Sequence, residues 1–224
     1  RYWRDWSSDV CSSDLESLTD SFAYRLSDGR GGFNQTSLTL TITGTNDTPL
    51  ISATDTAAGD VAALTETNST LTTNGSLTVT DVDLTDTVTA SISSVALSGT
   101  FTASGSTLPS SLSASSYQAL KAMLALTPAA GTAMAADPSA GTSFNWTFTS
   151  GSSGDSAFDF LREGETLTLT YTLTLTDNSG ATSPQPSPSA TTTVAVTITG
   201  TNDTPLISNS PDTASLTEIG RAHV

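Results

Sequence analysis

Asp81-Val82-Asp83 places two carboxylates at alternate positions of a Thr- and Val-rich stretch, LTVTDVDLTDT (77–87). On an extended backbone, side chains two apart project to the same side, so Asp81 and Asp83 can face one object together. Hard carboxylate oxygens on one side suit calcium, which takes six to eight oxygen ligands. The competing reading is local: Asp81, Asp83 and Asp86 are turn residues that bond their own backbone. Asn46 and Asp47 can do the same. A second acidic group, Asp155, Asp159, Glu163 and Glu165, could suggest a glycosidase pair, which needs two carboxyls at a set separation. Helix capping and a solvated surface explain that group better.

The ends of the chain remove other chemistries. The chain finishes IGRAHV (219–224) and carries DVCSSD at 9–14. Written as ATC GGA AGA GCA CAC GTC, the last six codons have the reverse complement GAC GTG TGC TCT TCC GAT, which reads Asp-Val-Cys-Ser-Ser-Asp. Residues 1–15 and 219–224 therefore read as a translated sequencing adapter with further appended sequence, and are set aside for fold reasoning. They contain the only cysteine, Cys11, and the only histidine, His223, together with Trp3 and Trp6. Residues 16–218 have no thiol and no imidazole, so a Ser-His-Asp or Cys-His mechanism has no base.

Four basic residues (Arg25, Arg30, Lys121, Arg162) face nineteen acidic ones in 16–218, keeping the net charge at −15. Such a surface repels nucleic acid and anionic lipid, since phosphate contacts need Lys and Arg, and it attracts cations. Abundant Thr and Ser without a long apolar run describe a β-rich chain that does not insert in a membrane. Without paired cysteines there is no disulfide framework.

The elements that must position the acids are repeated. TITGTNDTPLIS occurs at 41–52 and again, letter for letter, at 197–208. Upstream of each copy, SFAYRLSDGRGG (21–32) aligns with TYTLTLTDNSGA (170–181), matching Phe22 with Tyr171, Leu26 with Leu175 and Asp28 with Asp177. AALTE (62–66) resembles ASLTE (214–218). The expected organisation is the end of one repeat at 16–50, a complete repeat at 51–206 and the start of a third at 207–218. Leu167, Leu169, Tyr171, Leu173 and Leu175 alternate with threonines, and the same period of two runs through Leu38–Ile42, Phe144–Phe148 and Val194–Ile198. That alternation marks half-buried antiparallel strands, with Thr suited to the wet face. Trp146 belongs to the core on this pattern. Ser115 as N-cap, with Tyr117, Leu120 and Leu124 following, predicts a short helix over 115–126. A one- or two-turn helix is expected over 155–164, ending at Gly164. Residues 98–116 and 129–141 read as surface loops. SDGRGGFNQ precedes a strand, so it predicts a hairpin turn and not a phosphate loop. The fold class is an all-β, immunoglobulin- or cadherin-like antiparallel β-sandwich repeat with one or two short helical insertions.

Residues 64–92, NWTF (145–148), 158–177 and TITGTNDTPLIS, in that order, resemble the VCBS repeat of large bacterial surface and RTX-type adhesins, a cadherin-like sandwich. The resemblance covers nearly all of 16–218. It implies a non-catalytic extender, exported to the bacterial surface or secreted, stiffened by Ca²⁺ at inter-repeat junctions and supporting adhesion or biofilm formation. Its partners would be neighbouring repeats of the same chain and calcium. It further implies ligands: Asn46 and Asp47 resemble the Asn-Asp of the cadherin linker, and Asp81 and Asp83 its Asp-x-Asp. Glu66 resembles the glutamate that reaches the far junction, where Asn202 and Asp203 sit. Asp86 and Asp177 are weaker additions. The linker departs from the cadherin pattern in lacking its leading acid and in having Thr48 for its second Asn. A glycan- or protein-binding module and an accessory domain of a secreted hydrolase are the alternatives. Loops of Ser, Ala and Thr with few aromatics argue against a strong sugar site.

Overall fold

The computed structural model describes residues 17–53, 60–84, 86–101, 114–151, 158–180 and 187–204. Two antiparallel strands come first, β1 (Ser17–Ser27) and β2 (Phe33–Thr43), forming a two-stranded sheet of their own. Asp28 builds their turn: its Oδ1 accepts the N–H groups of Arg30 and Gly32 at 2.8 and 2.9 Å. The Gly-rich stretch is thus a hairpin turn.

The rest forms a β-sandwich. One sheet joins β4 (Asp60–Thr65), β11 (Ser189–Thr199), β10 (Thr166–Asp177), β6 (Thr87–Gly99) and β8 (Ala133–Ala135), in that order. The other joins β3 (Leu50–Ala53), β5 (Thr72–Thr80), β9 (Thr142–Thr149) and β7 (Leu124–Thr127). All pairings are antiparallel except β11 with β4, which is parallel. The Thr/Leu alternation of β10 produces a strict alternation of buried and half-buried residues, so one face of the strand lines the core and the other meets water. Leu169, Tyr171, Leu173, Val194 and Val196 meet Leu77, Val79, Phe144, Trp146 and Phe148 in a single core. No residue of β1 or β2 belongs to it.

Three local expectations are corrected. The helix, α1 (Ala114–Ala122), ends earlier than predicted, and Leu124 and Leu126 turn inward from β7. Alternation and helical spacing both fit that short apolar run, and pairing with β9 decides it. Within 155–164, residues 158–164 form turns and not a helix: Leu161 N–H donates to Phe158 O and Glu165 N–H to Arg162 O. Gly164 does take the left-handed conformation expected of it, at φ +79°. The segment 129–141 is not all loop, because β8 pairs there with β6. Of the expected loop 98–116, residues 98–99 end β6 and 114–116 begin α1, whereas 102–113, like 181–186 and the whole of 207–218, lie outside the described residues.

Tyr171, buried in the core, donates its hydroxyl to Leu120 O at 3.0 Å, pinning α1 onto the sandwich. At nine residues α1 is short, and no helix among the described residues is long and apolar enough to cross a membrane.

Candidate metal centre

β10 separates the two ends of the sandwich by roughly 36 Å at about 3.3 Å per residue. At the end where β10 finishes, β5 also finishes and β6 begins. The acids collect here. Asp81 follows β5, Asp86 precedes β6, and Asp177 closes β10; each offers a carboxylate oxygen, and the three oxygens lie within 4.8 Å of one another. Asp81, Asp83, Asp86 and Asp177 are all at least 94% buried.

The linker leaving β2 comes to the same place. Asn46 is fully buried, and the N–H of Asp47, itself exposed, donates to Asp83 Oδ2 at 2.6 Å. Thr48 donates its hydroxyl to Ser187 O at 2.8 Å, and Pro49 is buried, so the linker is held along the sandwich. Thus Asn46, Asp47, Asp81 and Asp83 are brought together, with Asp86 and Asp177 joining them.

The turn explanation and the ligand explanation prove compatible. Asp81 Oδ1 accepts the N–H of Asp83 at 3.2 Å, and Asp177 Oδ1 accepts the N–H and hydroxyl of Ser179. Each carboxylate uses one oxygen for its own turn. The second oxygens, Asp81 Oδ2 and Asp177 Oδ2, are buried and accept no hydrogen bond, and neither does Asn46 Oδ1. Buried polar atoms are ordinarily satisfied, so these three oxygens fit a cation's needs. Burial pushes the Asp81 carboxyl up to about 6 from the usual 3.8. The negative charges of Asp83 and Asp177 add to that rise, and a backbone hydrogen bond from Asp83 opposes it. Like charges crowded out of water are costly until a positive charge joins them. Hard oxygens on separate chain segments, with no thiolate or imidazole among them, suit calcium better than thiolate- or imidazole-seeking metals.

Glu66, Asn202 and Asp203 belong to the opposite end. Glu66 follows β4 and is 1% exposed; its Oε2 accepts the hydroxyl of Thr201 at 2.7 Å and the Thr201 N–H at 3.3 Å. Its Oε1 is buried and accepts no hydrogen bond. Glu66 does not approach the first cluster. Asn202, in the same motif as Asn46, is exposed, and Asp203 is half-buried. Among the described residues, the second copy of the motif is held by Thr201 on Glu66 and by Gly200, whose N–H donates to Glu165 O at 2.9 Å and whose carbonyl accepts the N–H of Gly164 at 3.2 Å. Gly200 explains part of that anchoring: a Cβ there would stand 2.4 Å from Arg162 O, so the strand exit packs directly on the 161–165 turn.

A buried polar pair lies between the two clusters. Trp146 Nε1 donates to Asp60 Oδ2 at 2.7 Å, joining β9 of one sheet to β4 of the other. Gly75 makes room for it, since a Cβ there would fall 2.2 Å from that oxygen.

No family model and no curated protein matches the chain, so the VCBS resemblance rests on its motifs alone. Among solved structures, the chain is similar to the CooA pilin subunit of enterotoxigenic Escherichia coli, at 13% identity and a TM-score of 0.40, over 69% of this chain and 99% of that one. It is also similar to cadherin-like domains 1 to 4 of zebrafish RET, at 12% identity and a TM-score of 0.27, over 83% of this chain and 34% of that one. Overlaps this slight carry no argument about what the chain does.

Proposed function

We infer that the chain is a non-catalytic structural repeat of a bacterial surface or secreted protein, extending it in length and stiffened by Ca²⁺ where one repeat meets the next. Residues 16–50 are then the end of one repeat, 51–206 a complete one and 207–218 the start of another. The observation that carries this reading is the hydrogen bond from the Asp47 N–H, in the incoming linker beside the buried Asn46, to Asp83 in the acidic end of the following sandwich. A metal held there would tie two repeats at their joint, using Asn46 with Asp81 and Asp177 and their neighbours. Two geometric facts support extension: the linker enters at one end of β10, and the chain leaves β11 at the other. Each repeat then adds its length along one direction, and reach is set by copy number. Adhesion or biofilm formation would be the task of the protein so extended.

The test is calcium titration of the chain by calorimetry. The expected result is one site at the first junction, with a Kd on the order of 0.1–1 mM as for extracellular modules, lost in Asp81→Asn/Asp177→Asn. Binding unchanged in that variant would reject the site.

A further inference from the structure

The apolar face of the β1–β2 hairpin is open, and the same chain contains its covered counterpart. β1 and β2 pair with Ser17 opposite Thr43, Leu18 opposite Ile42 and Phe22 opposite Leu38. β10 and β11 pair with Thr166 opposite Thr199, Leu167 opposite Ile198 and Tyr171 opposite Val194. The aligned residues are thus in identical register, and the large apolar side chains recur at Leu18, Phe22, Leu26, Leu38, Leu40 and Ile42, with Asp20 standing where β10 has Leu169. Their exposure differs completely: Phe22, Leu38 and Leu26 are 46, 53 and 74% exposed, whereas Tyr171, Val194 and Leu175 are fully buried. An open apolar face of this size marks an interaction surface, and a lone hairpin is marginal in water.

We propose that this face is the inner surface of a second sandwich, and that its occupant is the β4–β9 portion of another repeat of this kind, carried on the chain ahead of Ser17. That occupant is defined by what covers β10–β11. A sheet like β5 and β9 would lie across the face, a strand like β6 would bond the free edge of β1 antiparallel, and one like β4 would bond β2 in parallel. Size argues against a second copy of the hairpin as occupant. Two strands of eleven residues present a face of roughly 10 by 36 Å. A face-to-face pair would bury only about 700 Å², the scale of a crystal contact and short of a stable dimer, and would leave both strand edges unpaired. Asp28 fits the assignment: like Asp177 it spends Oδ1 on its own turn, which leaves its second oxygen for the junction of that other sandwich. The proposal rests on the reading of 16–50 as the end of a repeat.

The experiment is amide hydrogen exchange in chelator, so that it does not depend on calcium. Two forms are compared: the chain itself, and the chain with a copy of residues 60–165 joined directly ahead of Ser17, the position aligned with Thr166. β1–β2 amides should exchange freely in the first. In the second they should slow at least a hundredfold, towards the protection of β10–β11, and Phe22→Asp should abolish the gain without affecting β10–β11. A tandem in which 166–204 replaces 17–48 shows that the joined portion can fold. If that tandem is protected in both units while β1–β2 stays unprotected in the extended chain, the proposal fails. It fails also if the chain alone sediments as a dimer with a protected hairpin, which would make a second copy the occupant.

Discussion

The main-chain N–H of Asp47 donates to the side chain of Asp83 at 2.6 Å, across 36 positions of sequence. Through that bond the segment leaving one hairpin is fixed to the acidic end of the next sandwich, beside Asn46, Asp81 and Asp177. The link is made by backbone to carboxylate, so its strength depends on Asp83 being ionised and held in place.

The acid cluster predicts an inverted pH response without metal. The Asp81 carboxyl is raised to about 6 in the folded chain from 3.8, so between those values the folded state binds more protons than the unfolded one. Stability from this group is present below about 3.8 and is lost as pH rises through about 6. At 1.36 kcal/mol per unit the loss is on the order of 2–3 kcal/mol. In chelator, the difference in unfolding free energy between the parent chain and Asp81→Asn should change by that amount between pH 4 and pH 7.5. Calcium should flatten it.

The two copies of the linker motif should respond differently to one substitution. Asn46→Ala removes a buried amide whose Nδ2 donates to Asp47 O, and should cost about 1–3 kcal/mol and weaken calcium binding. Asn202→Ala, at an exposed position, should stay within about 0.5 kcal/mol. Urea unfolding of both variants, with and without calcium, checks this.

The cross-sheet bond between Trp146 and Asp60 should be independent of metal. Trp146→Phe leaves the Asp60 carboxylate buried without its indole donor, at about 1–3 kcal/mol plus the packing lost. Gly75→Ala forces a methyl into the same space and should cost a further about 1–3 kcal/mol by overpacking. Denaturant midpoints should fall equally in chelator and in calcium.

At the far end, Glu66→Ala strands Thr201, both of whose donors point at the Glu66 carboxylate. A loss of about 1–3 kcal/mol and faster amide exchange at Thr201 are expected. Glu66→Gln keeps an acceptor and should lose less.

Much of this architecture was legible in the sequence because its signals are local. The Thr/Leu alternation of β10 translates residue by residue into burial, and the exact repeat of the linker identifies two strand exits. Leu124 and Leu126 were ambiguous because a run of four residues satisfies both periods, and only the β9 partner distinguishes them. The Asp60–Trp146 bond joins residues 86 apart, beyond any local pattern. Asp86 and Asp177 stood only as weaker additions to the ligand set because nothing local places them beside Asp81: Asp177 uses one oxygen for its own turn, and only the fold brings a carboxylate oxygen of each beside Asp81. The separation of Glu66 from the first cluster was implied by its resemblance to the cadherin glutamate, whereas the role of Thr201 in holding it was not.

Thermal unfolding tests most directly for a cation at the junction. The chain and Asp81→Asn/Asp83→Asn are melted in chelator and in about 1 mM Ca²⁺, where extracellular sites load. With a site near its Kd to tenfold above it, ligand linkage gives about 0.4–1.4 kcal/mol. A midpoint rise of a few degrees in the parent chain, absent from the double variant, is the predicted result. An equal response in both proteins, or none in the parent, would contradict it.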